Sequence, residues 1–265
     1  MPPLTAGTPL SSTSGRVKEA RKLSRRSVRA ERRLFLADGP KAVEGALEIR
    51  DRVVEVFATP EAARTYAALL ADAPVTLVDD RALGSLSDSV TPAGLVAVCH
   101  FLDVDLLELT ARGGSPIVVC ADVRDPGNAG TIIRAADAAG ADGVILTGKS
   151  VDAYNPKVVR STTGSLFHIA VAQGLELDAA IRAVKRAGLQ VLAADIAGDD
   201  LPTVRDRLGR PTAWLFGNEA HGLTDESLGF ADAVVKVPIY GRAESLNLAT
   251  AASVCLYESA FAQRV

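Results

Sequence analysis

The chain is poor in the residues that build metal centres, redox pairs and disulfide scaffolds. It has three cysteines in 265 residues, Cys99, Cys120 and Cys255, far apart and each set in apolar sequence. Lacking the paired spacing of a zinc site or a redox motif, they read as small buried hydrophobes. Histidine is as scarce, with His100, His168 and His221 alone, and no cysteine or carboxylate stands at ligand spacing from any of them. No metal is expected, and each histidine is assigned a structural role. No apolar run reaches the ~18 residues of a membrane span, and the charged start and apolar stretch of a signal peptide are missing, so the expectation is a cytoplasmic protein with no membrane partner. No G-x-G-x-x-G follows a strand, which leaves a dinucleotide-binding reading without its fingerprint.

What is present is ordinary globular material. Hydrophobic residues make up 48% and charged residues 23%, a balance that excludes collagen-like, coiled-coil and disordered chains. The length favours two compact units. A formal charge of −3 argues against a general polyanion binder, yet the charge is unevenly spread: Gly15 to Arg33 holds nine basic and two acidic side chains, a net of +7 that leaves −10 on the remainder. Such a segment is either a solvated helix face or a phosphate footprint, because a concentrated patch binds a polyanion that the rest of the molecule repels.

The coarse organisation is α/β. Residues 1–14, rich in Pro, Ser, Thr and Gly, are expected to be a disordered tail. Residues 15–100 read as a small α/β unit: a basic helix from Arg16 to Arg33, strands at Leu34–Ala37, Val53–Ala58, Val75–Val78 and Gly94–Cys99, and helices at Pro40–Glu48, Glu61–Ala71 and Ala82–Leu86. A linker over 101–115 carries Gly113, Gly114 and Ser115 at its end, and residues 116–265, opening on Pro116, form the second domain. There Ile117–Cys120, a helix from Ala129 to Ala139 and Gly143–Leu146 make a βαβ unit, hence a parallel sheet with ligands at the carboxyl ends of its strands. Further strands are predicted at Gln190–Ala194, Ala213–Phe216 and Val234–Val237, and a last helix at Asn247–Phe261.

One motif match is rejected on context. Gly143, Gly148, Lys149 and Ser150 fit G-x-x-x-x-G-K-S, but Val144 to Thr147 read as the strand itself and no helix follows directly, so nucleotide hydrolysis is not indicated. Three other constellations remain. In the turn Asp125-Pro126-Gly127-Asn128-Ala129-Gly130, Asn128 reads as a helix N-cap, and Arg134 follows on a helix whose Ile132, Ile133 and Ala136 face the core. The stretch Gly217-Asn218-Glu219-Ala220-His221-Gly222-Leu223 follows a strand that includes Leu215, and its two glycines suit a tight turn at a ligand. In Val237-Pro238-Ile239-Tyr240-Gly241-Arg242-Ala243-Glu244-Ser245-Leu246-Asn247-Leu248, Ser245 reads as an N-cap, and as a hydrolase nucleophile it lacks both the G-x-S-x-G turn and a histidine partner.

Taken jointly and in this order, the three constellations resemble the signature motifs of the SpoU (TrmH-like) RNA 2′-O-ribose methyltransferases over Ile117 to Glu258. The first half is similar to that family's ribosomal-protein-like substrate-binding domain, through Phe35-Leu36-Ala37-Asp38-Gly39, where many relatives carry Glu-Gly. The resemblance implies a trefoil-knotted α/β catalytic domain preceded by a smaller α/β RNA-binding domain, a homodimer, and S-adenosylmethionine as methyl donor. It places the cofactor on Gly217, Val237, Ile239 and Leu246, with Leu215 and Asn218 nearby. Arg134 is implied in the chemistry, with Asn128, Glu219, Ser245 and Asn247 shaping the pocket. Arg16, Lys18, Arg21, Lys22, Arg25 and Arg26 become candidate contacts to structured RNA, which is read through shape, phosphates and 2′-hydroxyls.

The residue types suit that chemistry. A ribose hydroxyl must be held in line with a sulfonium methyl, so positioning supplies much of the acceleration. An unperturbed guanidinium is a poor base, so Arg134 is either strongly shifted or binds the adjacent phosphate and orients the hydroxyl. The ribosomal-protein-like domain favours ribosomal RNA, specifically 23S, over transfer RNA. An inactive RNA-binding protein of the same fold and a base methyltransferase are the competing classes.

Overall fold

A computed structural model describes residues 8–264. The chain divides into two compact units, Met1–Leu102 with Tyr154–His168, and Asp103–Ala153 with Ile169–Val265.

The first unit is built on four strands, β1 (Leu34–Asp38), β2 (Val53–Ala58), β3 (Val75–Leu77) and β4 (Leu95–His100), in the order β1-β4-β2-β3. β4 is antiparallel to β1 and β2, whereas β3 runs parallel to β2. Residues 1–7 of the expected tail lie outside the described residues. Residues 8–14 are tied down, since the Leu10 N–H donates to Leu77 O at 2.8 Å and Leu10 O accepts from Asp79 N–H at 3.0 Å.

The predicted basic helix is broken. It runs as Gly15–Arg21, a 3-10 turn Lys22–Ser24, and Arg26–Arg32, with Arg25 extended at φ −91° and ψ 128°. The break lets Leu23 bury in the core, and the buried Arg29 guanidinium satisfies the carbonyls it frees, donating to Leu23 O at 2.9 Å and Ser24 O at 2.8 Å. Buried carbonyls need such partners.

Tyr154–His168 joins the first unit through aromatic packing, which the domain division expected from sequence does not contain. The Tyr154 ring lies 4.6 Å from Phe35 and 3.9 Å from Phe101, and Phe167 lies 6.0 Å from Phe35. The Tyr154 hydroxyl accepts from the Leu102 N–H at 2.5 Å. The expected 101–115 linker holds a helix, Leu106–Thr110, whose Leu109 is fully buried in the second unit's core.

That core covers a six-stranded parallel sheet: β5 (Ile117–Ala121), β6 (Gly143–Thr147), β7 (Ala170–Leu175), β8 (Gln190–Asp200), β9 (Thr212–Phe216) and β10 (Ala233–Lys236), in the order β10-β8-β9-β5-β6-β7. β5, β6 and β9 are buried along their whole length, as expected for continuous apolar strands covered on both faces. The Trp214 indole on β9 donates to Ser259 Oγ of the last helix at 2.9 Å, giving a fully buried N–H its acceptor. β5 leads through the Pro126–Ala139 helix to β6 on one side and borders β9 on the other. The chain order therefore switches at β5, which places the crevice at the carboxyl ends of β5 and β9.

Candidate active site

Three loops meet at those strand ends. The first is the turn after β5, where Asp122 adopts φ +57°. Asp125, not Asn128, is the N-cap of the Pro126–Ala139 helix: its carboxylate accepts from the Asn128 N–H at 2.8 Å, and Pro126 fills the first helical position. An Asp immediately before a helix-opening Pro carries this signal in sequence. The shift frees the Asn128 carboxamide for the site.

The second loop, after β9, closes on itself. Asn218 and Gly222 exchange backbone hydrogen bonds at 3.0 and 2.9 Å, and Asn218 Oδ1 accepts from the Ala220 N–H at 2.9 Å. A Cβ on Gly217 would stand 2.4 Å from the carbonyl of Gly222, so the turn requires glycine there. Glu219 leaves this loop to clamp the first one. Its carboxylate accepts from the backbone N–H groups of Arg124 at 3.1 Å and Asp125 at 2.9 Å, and from the Asn128 carboxamide at 3.3 Å. Asn218 Nδ2 adds a bond to Asp122 O at 2.8 Å.

The third loop joins β10 to the Leu248–Gln263 helix. Asn247, not Ser245, caps that helix, its Oδ1 accepting from Ala249 N–H at 3.0 Å and Thr250 N–H at 3.3 Å. The other end of the same carboxamide donates to Asn128 Oδ1 at 2.9 Å. Glu219, Asn128 and Asn247 thus form one hydrogen-bonded chain through all three loops. Ser245 is exposed and makes no hydrogen bond to this chain among the described residues. Arg134 stands on the exposed face of the helix that carries Asn128, with Ile132, Ile133 and Ala136 fully buried behind it.

The residues implied for the cofactor separate into two kinds. Leu215 and Gly217 are buried and Asn218 and Val237 half-buried, whereas Ile239 and Leu246 expose large apolar side chains at 37% each. Residues 239–246 make no backbone–backbone hydrogen bond among the described residues. A Cβ on Gly241 would meet nothing within 4 Å. Open peptide groups beside apolar side chains fit a purine nucleoside, which offers hydrogen-bonding edges on a flat apolar body. Cys120 and Cys255 take no part: both are buried, and burial pushes each thiol up to about 12. Among the described residues, no group of three or more His, Cys, Asp or Glu side chains is placed to hold a metal, and no helix is long and apolar enough to cross a membrane.

Comparison with known proteins decides the family. Residues 115–257 match the SpoU rRNA Methylase family, more than half the chain, and residues 15–97 match an MRM3-like substrate binding domain. The protein belongs to the SpoU rRNA methylase family. It is 34% identical over 247 residues to the 23S rRNA (guanosine(2553)-2′-O)-methyltransferase RlmP of Bacillus subtilis, covering 93% of this chain and 96% of that one. It is 38% identical over 172 residues to the 23S rRNA (uridine(2479)-2′-O)-methyltransferase of Streptomyces viridochromogenes, covering 63% of this chain and 60% of that one. Among solved structures, the AdoMet-bound rRNA methyltransferase from Sinorhizobium meliloti superposes with a TM-score of 0.82 at 34% identity, covering 96% of this chain and 98% of that one. In this chain the Glu219–Asn128–Asn247 hydrogen bonds join the three motif loops to one another.

Proposed function

We propose that the protein transfers a methyl group from S-adenosylmethionine to a ribose 2′-hydroxyl of 23S ribosomal RNA. The hydrogen-bonded chain through Glu219, Asn128 and Asn247 carries this reading, because it assembles all three family motifs at the switch point of the sheet. The relatives named as 23S 2′-O-methyltransferases and the AdoMet-bound neighbours support substrate and cofactor.

When bound, S-adenosylmethionine supplies an electrophilic sulfonium methyl. The Gly217–Asn218 turn, Val237, Ile239 and Leu246 hold the nucleoside part through backbone groups and apolar contact. Asn128 and Asn247 lock the loops against one another, and Glu219 keeps the first turn closed by satisfying two of its N–H groups. Arg134 offers a planar charged fork to the phosphate beside the target ribose and turns the hydroxyl toward the methyl, so positioning lowers the barrier, and the hydroxyl proton passes to water as the new O–C bond replaces the S–C bond.

Two further parts of the reading concern assembly. The pair Tyr257 and Phe261, 39% and 55% exposed with ring centroids 5.7 Å apart on the last helix, supports a homodimer built on that face. The trefoil knot that the family resemblance implies belongs to the same reading. Incubating the protein with methyl-labelled S-adenosylmethionine and unmodified 23S or transfer RNA in separate reactions tests the substrate: label enters 23S RNA, whereas label in transfer RNA alone contradicts the assignment.

A further inference from the structure

The first unit contains a cleft of about 680 Å³ whose two walls have opposite chemistry. One wall is Lys18, Arg21, Lys22 and Arg25, whose spacing of three, one and three residues keeps them on one side of the first helix and the 3-10 turn that follows it. Lys22 is shared with Glu19, but Lys18, Arg21 and Arg25 make no ion pair among the described residues. The other wall is Ser85, Ser87 and Asp88, and Leu36 and Leu86 supply apolar surface between them. Behind that second wall the Ser87 hydroxyl donates to the buried Asp38 carboxylate at 2.6 Å. Arg160 Nη1 is buried without a hydrogen-bond partner and lies 3.6 Å from Asp88.

We propose that this cleft seats one unstacked nucleotide of the RNA substrate, with its phosphates on the cationic wall and the donor edge of its base on Ser85, Ser87 and Asp88. The proposal rests on the RNA methyltransferase reading and names the part of the RNA that the first unit grips. The volume is that of a small-ligand site. A duplex laid across the cleft would press a phosphate rail against Asp88, with Asp38 behind it, whereas a splayed nucleotide turns only its neutral base toward them. Single-stranded loops are where RNA bases become available for such contacts, and guanidinium planes such as those of Arg21 and Arg25 provide stacking surface where aromatic rings are lacking. A carboxylate only accepts hydrogen bonds, so Asp88 meets the amino or imino hydrogens on the edge of the base. Burial raises the Asp38 carboxyl above its ordinary value, with the Ser87 hydroxyl partly offsetting that rise, and a phosphate brought against this wall would oppose its ionisation further.

The test uses the full chain and unmodified 23S RNA, with affinity measured at several salt concentrations and S-adenosylmethionine affinity measured by calorimetry on each variant. The double variant Lys18→Ala/Arg25→Ala is expected to weaken RNA binding at least tenfold and to flatten its salt dependence, by about 0.7 in slope for each single-strand phosphate left without its cation. Arg182→Ala/Arg186→Ala, an equal loss of charge on the second unit, is expected to change RNA affinity less than twofold. Asp88→Asn decides the base contact: affinity falls about fivefold at an unchanged salt slope. Tighter binding by Asp88→Asn would mean that phosphate lies there, and equal losses in the two double variants would mean a diffuse charge effect; either overturns the proposal. Cofactor affinity stays constant in all variants. Wild-type protein that binds cofactor but no RNA would defeat the underlying RNA reading itself, whereas strong RNA binding that ignores the cleft variants would defeat the cleft alone.

Discussion

The Asn247 carboxamide reaches across 119 residues of sequence to donate to Asn128 Oδ1 at 2.9 Å while its own Oδ1 caps the last helix. One side chain therefore fixes a helix start and joins the third loop to the first. Losing an N-cap costs about 1 kcal/mol, or about 2–4 °C in a chain of this size. Asn247→Ala is expected to lose that stability together with cofactor affinity. Asn247→Ser keeps a cap but cannot span to Asn128, so it recovers the melting temperature and leaves cofactor binding weakened about tenfold. Recovery of both by serine would show that the bridge plays no part.

Glu219 accepts two backbone N–H groups and the Asn128 carboxamide. In Glu219→Gln one acceptor oxygen becomes an amide donor facing donors. An unsatisfied N–H of this kind costs about 1–3 kcal/mol, a loss readable by denaturant unfolding. Stability equal to wild type would mean that the first turn holds without its clamp.

Gly217 approaches the Gly222 carbonyl too closely for any side chain. Because backbone rather than a flexible side chain blocks the methyl, Gly217→Ala is expected to displace the whole turn and abolish cofactor binding measured by calorimetry. Normal binding by the alanine variant would contradict the requirement.

Asp232 gives a signed pH dependence. Partial burial raises its carboxyl, but the Val191 N–H at 2.7 Å and the Lys185 ammonium at 2.9 Å outweigh it and hold the group below its ordinary value. A lowered carboxyl contributes stability at neutral pH that is lost as the pH falls and the group takes up its proton. Asp232→Asn is therefore expected to destabilise by about 1 kcal/mol at pH 7, a modest figure because the ion pair is partly exposed to solvent. Melting curves from pH 7 down to pH 3 should converge, and a gap independent of pH would refute the assignment.

The sequence made the apolar strands legible because β5, β6 and β9 are continuous runs whose burial on both faces matches their composition. It missed β7, where Ala170, Ala172 and Gly174 have little strand preference and pairing with β6 imposes the conformation. It stopped β8 at Ala194, although the strand continues to Asp200 past a bulge opposite Val234 and Val235. There Gly198 is needed, since a Cβ would stand 2.4 Å from Val235 N. The residues of the three loops were legible as types and order, but which of them cap helices and which bridge the loops was not. Asp125 took the cap expected of Asn128 and Asn247 the cap expected of Ser245, and only the fold shows which carboxamides are left to bridge the loops.

The central claim is methyl transfer to a ribose hydroxyl positioned by Arg134. It is tested most directly by digesting labelled 23S RNA to nucleosides after reaction with wild-type protein or with Arg134→Ala. The account predicts label in a 2′-O-methylnucleoside, reduced at least 100-fold by Arg134→Ala with S-adenosylmethionine affinity unchanged. Label recovered on a methylated base, or transfer that survives the loss of Arg134, would contradict it.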